Sequence, residues 1–411
     1  VYVKAIDKAG NEKIESKKID IKDVATVEIT NIDNGTVNIF DDVTTTFTAK
    51  IVGMNYKYQW YYNDTAIGEQ SEELSGERTI TFNVPTNTMT MDNYSGGTYK
   101  CKVTNGVGEN EATAKQTVTY TISDANQMKN FAKRVNNQSI TFEGKTIEQT
   151  ADIDLSSVCG ETIGSWEPIG KYENTNELYF AGNYNGNYHN ISKIYIYDTT
   201  DGMALFKGNV GTIEKLTIKD VEVKGSNMVS GICVSNKGTI LECANINGLV
   251  YGNGHDPDAS GICSENFGTV SKCYNTSEIV GVGYHQGGIA GYNGGIIDNC
   301  YNRGKISTET HSGGIVGANS GKITNCYSTS DIAVSSGYNG PIIGWQVNFD
   351  ENSKNAEVSN CFYLVQTNTS SPKIDIGKYS AEAKTETFMK SNEFVNLLGS
   401  SNWKIVAEMN E

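Results

Sequence analysis

Apolar and polar residues alternate with period two in short runs through the first 122 residues of this 411-residue chain. That spacing is the mark of strands with one buried face. VYVKAID and KIESKKIDI flank the turn KAGN and predict a hairpin over residues 1–24. VEITNI, TTTFTAKIV, YKYQWYYN, TITFNV, GTYKCKVTN and AKQTVTYTI, separated by Asn, Gly and Asp turns, predict an all-β block over 25–122. The period then changes. Met128, Phe131, Ala132 and Val135 fall at i, i+3, i+4 and i+7 and predict a helix over about 124–136. Asp124 and Gln127 fit a capping box at its start.

From about 140 to 365 a longer period takes over. Cys243, Cys273, Cys300, Cys326 and Cys361 recur at intervals of 30, 27, 26 and 35 residues, and Leu216 holds the same slot 27 residues before Cys243. A repeat of this length predicts a solenoid of stacked coils. Each coil carries two landmarks. One is a small-residue motif, as in Ser230-Gly231-Ile232-Cys233, Gly287-Gly288-Ile289-Ala290 and Gly313-Gly314-Ile315-Val316. The other is an apolar pair three apart: Ile213/Leu216, Ile240/Cys243, Val270/Cys273, Ile297/Cys300, Ile323/Cys326 and Val358/Cys361. A strand shows alternate residues to alternate faces, so two inward residues three apart require a corner between them. Glycine would serve such bends by positive φ or close backbone approach. Two residues past the Cys slot, Asn245, Asn275 and Asn302 would form an asparagine ladder. The helix before the coils would cover the open end of the core. TETFMKSNEFVNLLG (385–399), with Ser391 as N-cap and Gly399 as stop, would form the opposite lid over about 385–411.

In the first block, Trp60 and the run Gly97-Thr98-Tyr99-Lys100-Cys101 resemble the immunoglobulin fold. Tyr99, two before the cysteine, matches its tyrosine corner. Ala49 stands nearest the slot of the partner cysteine, so Cys101 is expected as a buried free thiol near Trp60. Residues 1–24 would end a preceding module of the same kind. GGIAG (287–291) and GGIVG (313–317), each leading into N-C-Y, resemble the GLUG repeat of bacterial surface proteins. The likeness is looser at Ser230–Asn236 and Ser260–Asn266, where Val234 and Ser264 replace the closing glycine. The resemblance extends over roughly 123–400 and implies large adhesin-like proteins, or the neighbourhood of the peptidase in IgA proteases. The expected architecture is all-β: an immunoglobulin-like β-sandwich, then a right-handed parallel β-helix (a solenoid) capped by short helices.

A net charge of −15 argues against nucleic acid and anionic membranes, and no apolar run is long enough for membrane insertion. Val1 begins inside a strand-like run, so the chain reads as a mature piece of a longer protein. Nine cysteines, mostly in register, read as packing in a buried column, because identical strand positions hold their Cβ vectors parallel and suit a disulfide poorly. No H-E-x-x-H, G-x-S-x-G, P-loop or EF-hand sequence is present. The expectation is therefore no catalytic residue, no metal and no cofactor.

Three groups are candidates for binding. Tyr274, Tyr301, Tyr327 and Phe362 each follow the Cys slot and would point outward, as a ring column suited to a glycan or a host surface protein. His285, His311 and Tyr338 share a slot before successive small-residue motifs and would stack along one edge. Asp256-Pro257-Asp258, beside His255, forms the most acidic loop among the coils. The chain is thus expected to be a non-catalytic extracellular segment on the surface of a Gram-positive bacterium, acting as an adhesin or binding module. A carbohydrate-active β-helix enzyme (a polysaccharide lyase or glycoside hydrolase) is the first alternative, and a purely structural spacer the second. The enzyme would need three or more carboxylates converging in a groove on one face.

Overall fold

Two units follow one another, Val1–Thr119 and Tyr120–Glu411. The computed structural model describes residues 2–6, 8–16, 23–173, 176–254, 258–308, 310–334, 338–346, 356–365 and 378–405.

The first unit is built from antiparallel strands, with one parallel pairing of Thr36–Asn38 to Thr117–Thr119. Tyr2–Ile6 and Glu12–Ser16 form the hairpin expected from the KAGN turn. The runs TTTFTAKIV and YKYQWYYN join as one strand, Thr44–Tyr62, whose pairing shifts between Gly53 and Tyr56. Its first part pairs with Thr26–Asp33 and Leu74–Pro85, and its last part with Gly96–Thr104. Alternate residues Phe47, Ala49 and Ile51 are buried. Trp60 lies opposite Cys101 on the neighbouring strand, and both are buried. Cys101 is a free thiol that burial pushes up to about 12. The tyrosine corner does not form. Tyr99 packs its ring 4.6 Å from Phe47, and its hydroxyl has no partner among the described residues. Tyr62 makes the corresponding bond, donating to the Gly96 carbonyl at 2.8 Å.

In the second unit the coils stack as parallel strands. One sheet continues in register from coil to coil through Thr212–Glu214, Thr239–Leu241, Thr269–Ser271, Ile296–Asp298, Lys322–Thr324 and Glu357–Leu364. This register aligns Ile213, Ile240, Val270, Ile297, Ile323 and Val358 in one buried column. The protein is therefore all-β around a β-solenoid, with few helices. The strand Thr121–Ile122, expected in the first block, pairs with Thr146–Gln149 and belongs to the solenoid.

The expected corner lies between the two apolar columns, but glycine does not make it. Lys215, Glu242, Lys272, Asn299, Asn325 and Asn360, each just before the Leu or Cys slot, hold φ between 49 and 55°. Glycine serves close approach instead. A Cβ at Gly288 would collide with the Asn302 amide and with the Gly314 carbonyl.

The helix Ala125–Gln138 starts as predicted. The Asp124 side chain accepts the Gln127 N–H at 2.9 Å, and Gln127 reaches back to the Ser123 N–H at 2.7 Å. Its Met128, Phe131, Ala132 and Val135 face is buried. Phe131 meets Phe142, Phe180, Tyr184 and Phe206 at 5.5–6.3 Å, sealing the first coils. At the other end two short helices replace the single one expected. Glu386–Met389 is capped by Thr385, and Asn392–Leu398 by Ser391, whose hydroxyl accepts the Phe394 N–H at 3.3 Å.

Candidate binding site on the solenoid

The cysteine column sets the geometry of the ring column. All nine cysteines are free and buried. The Cys243, Cys273 and Cys300 amides each donate to the sulfur one coil on, at 3.4 Å. Burial away from any cation pushes the Cys243, Cys273 and Cys326 thiols up, so they remain protonated packing groups. With the thiols inside, the next residue faces out. Tyr274, Tyr301 and Tyr327 stack at 4.8 and 5.0 Å with interplanar angles of 1°.

The column differs from the open platform expected. Each ring face is covered by the next ring, so the middle of the column presents edges, not faces. Phe362 is 3% exposed, because the C-terminal helices lie on it: Phe394 and Leu398 pack with it, and Phe394 also meets Tyr327 edge-on at 5.5 Å. Those helices therefore buttress the outward ring column, where the sequence placed them as an end cap. Lys378–Lys384 extends the sheet as one more strand.

A cavity of about 700 Å³ opens where the column meets the helices. Arg303, Tyr327 and Thr329 line it from the coils, and Phe394, Trp403 and Lys404 from the C-terminal segment. Trp403 stands 5.4 Å from Tyr327, and its indole N–H donates to the Asn299 side chain at 2.9 Å. Burial raises Tyr327 to about 12, with the Arg303 charge pulling against that rise. The expectation for Tyr327 thus moves from a bare row of rings to the wall of a pocket. Trp403 and Arg303 were not expected in it; the signal was a lone Trp and the only Arg among the coils, and neither follows the repeat.

His311 and Tyr338 stack as expected, His285 lies tilted 6.0 Å from His311, and Tyr284 and Trp345 join them. Tyr284 and Tyr338 cover the two faces of His311 at 4.9 and 5.0 Å, and Trp345 lies 5.7 Å from both His285 and His311. His285 instead turns its Nδ1 to Asp258 Oδ1 at 3.0 Å. Burial, then the His285 charge, holds His311 below the usual imidazole range. Among the described residues no group of three or more metal-ligating side chains occurs. His255, Asp256 and Pro257 lie outside the described residues.

Three carboxylates share the lining of one groove. Glu177, Asp201 and Glu265 line a groove of about 590 Å³ with Tyr179, Lys237 and Phe267. Lys237 ion-pairs with Glu177 and lies over the Tyr179 ring at 5.2 Å. Burial, then Asp258, raises Glu265 above the usual carboxylate range. Phe267, 49% exposed, offers a ring beside it.

The expected asparagine ladder is broken. Asn275 donates to Asn302 at 2.9 Å, but Asn245 turns to the Gly261 carbonyl and Asn302 to Ser330. The continuous ladder stands elsewhere. Asn209, Asn236, Asn266, Asn293, Asn319 and Gln346 donate each to the next at 2.8–3.3 Å. Its signal was Asn-x-Gly recurring after each small-residue motif.

Comparisons with known proteins agree with the coil geometry. The GLUG motif matches residues 308–333. No curated protein matches the sequence. A solved structure of a candidate immunoglobulin A1 protease from Bacteroides ovatus is similar with a TM-score of 0.52 and 19% identity, covering 70% of this chain and 92% of that one. A structure of an IgA1 protease is similar with a TM-score of 0.40 and 11% identity; 99% of this chain spans 32% of that one. The expectation that the chain is not an enzyme is corrected, because the Bacteroides ovatus structure with a similar fold is described as a candidate protease.

Proposed function

We propose that this chain is part of a secreted or surface-displayed protein whose β-solenoid holds a glycan or a glycan-bearing protein partner. The Bacteroides ovatus protein with a similar fold supports placing it near proteins that act on other secreted proteins. In this reading the first unit is an immunoglobulin-like module that spaces the solenoid, with Trp60 and Cys101 at its core.

The carrying observation is the cavity at the end of the ring column. It is concave, walled by Tyr327 and Trp403, and bordered by cationic side chains. Pockets of this size with aromatic walls and few polar groups are typical ligand sites. Binding of a glycan library to the whole chain, compared with Trp403→Ala and Tyr327→Ala, tests it. The reading requires that both substitutions weaken the same glycans by tenfold or more. Unchanged binding in both would remove the cavity from the account.

The acidic groove favours a second reading, a carbohydrate-active site. Burial raises Glu265, as a general acid requires, and Glu177 and Asp201 line the same groove. Release of reducing sugar from oligosaccharides, abolished by Glu265→Gln, is the expected result. Equal release by the variant would discard it.

A further inference from the structure

The chain carries 15 more negative than positive charges, yet its lid cavity is cationic. Arg303, Lys390 and Lys404 line it against a single acid, Glu386, which Lys390 pairs at 2.6 Å. Arg303 and Lys404 make no ion pair and no side-chain hydrogen bond among the described residues. Acids abound elsewhere on the chain, so two cations left over beside one cavity point to a ligand's negative charge.

Arg303 is placed by its neighbours. Its backbone N–H donates to the Asn275 carbonyl at 2.9 Å, and Asn302 before it is fully buried. The backbone is therefore fixed while the guanidinium remains exposed. The guanidinium charge is felt by the Tyr301 and Tyr327 phenols, so it lies beside the ring column. A planar guanidinium matches a carboxylate with two parallel hydrogen bonds. The Trp403 ring and the edge of Tyr327 supply apolar walls for the C–H face of a pyranose. The Thr329 hydroxyl and Lys404 border the same space and suit ring hydroxyls. A neutral sugar would use the rings and leave Arg303 idle, and an extended acidic peptide would have no use for two rings that touch at an interplanar angle of 54°.

We infer that the cavity between the ring column and the C-terminal helices is a subsite for an acidic sugar, one whose pyranose ring bears a carboxylate. This rests on the reading of the cavity as a glycan site.

The test is calorimetric titration of the whole chain with glucuronic acid, N-acetylneuraminic acid, glucose and an acetylated Glu-containing peptide. At least one acidic sugar is expected to bind tenfold or more tightly than glucose. Arg303→Gln should erase that difference, Arg303→Lys should restore part of it, and added salt should weaken it. Arg303 is exposed, so both variants are expected to fold, and circular dichroism checks this. Equal affinity for glucose and glucuronic acid, or full retention by Arg303→Gln, would overturn the inference while leaving a glycan site intact. Arg303-dependent binding of the peptide alone would also overturn it. No binding of any sugar, here or in the glycan library, would remove both readings.

Discussion

Asn266 shows how a buried polar residue holds a coil. Its amide donates to Asn293 and to the Ile296 carbonyl, and its carbonyl oxygen accepts from Asn236. Asn266→Ala strands those groups in a dry core, at about 1–3 kcal/mol for each one left unpaired. Urea unfolding should show a lower midpoint, while Asn253→Ala on the exposed side should shift it little. His311 gives the pH dependence. Among the described residues its partners are Tyr284, His285, Tyr338 and Trp345, none a carboxylate, and burial lowers it from 6.5. The unfolded chain therefore takes up the proton first. Stability from this group is complete above the unfolded value and falls as pH drops through it toward the folded value. The melting temperature should fall more between about pH 7.5 and about pH 5.5 in the wild type than in His311→Phe. An equal fall in both would locate the acid sensitivity elsewhere.

Among elements, the two helical segments do different work. The helix Ala125–Gln138 closes the apolar core, and Phe131 is its central plug. Phe131→Ala should cost about 3–5 kcal/mol, since a ring is lost and the surrounding rings cannot close the gap fully. Thermal unfolding of the solenoid would register this as an early transition. The C-terminal helices instead cover Phe362 and flank Tyr327. Phe394→Ala should leave the coils folded, expose the 385–405 segment to protease, and quench the environment-sensitive fluorescence of Trp403. Loss of the whole solenoid transition in that variant would contradict the buttress role. The helix was legible because its apolar face has one period. The C-terminal pair was legible by its caps but not by its placement, because what a helix packs against is not written in its own spacing.

At the scale of the whole molecule, a one-dimensional stack needs no disulfide to close. All nine thiols should therefore be inert to a thiol reagent in the native chain and react on unfolding, with no change of melting temperature under reductant. A native thiol count below nine after denaturation would show a disulfide and break the column. The repeat of Ile or Val, a corner and Cys fixed the coil register in the sequence itself, because every coil must present the same inward residues to its neighbour. The small residues at the Gly288 position were legible as a motif, though their reason, the Asn302 amide pressed against them, was not. Sequence also set the helix at about 124–136 and the outward slot of Tyr274, Tyr301 and Tyr327. Only the tertiary structure decided that these rings cover one another's faces, that Phe362 is buried, and that Arg303 meets Trp403 across one cavity, a hundred residues apart in the chain. It alone also gathered Glu177, Asp201 and Glu265 from three separate segments. The reason is one of range. Periodicity reports what is repeated between adjacent coils, whereas a site is made where the repeat is interrupted and distant segments meet.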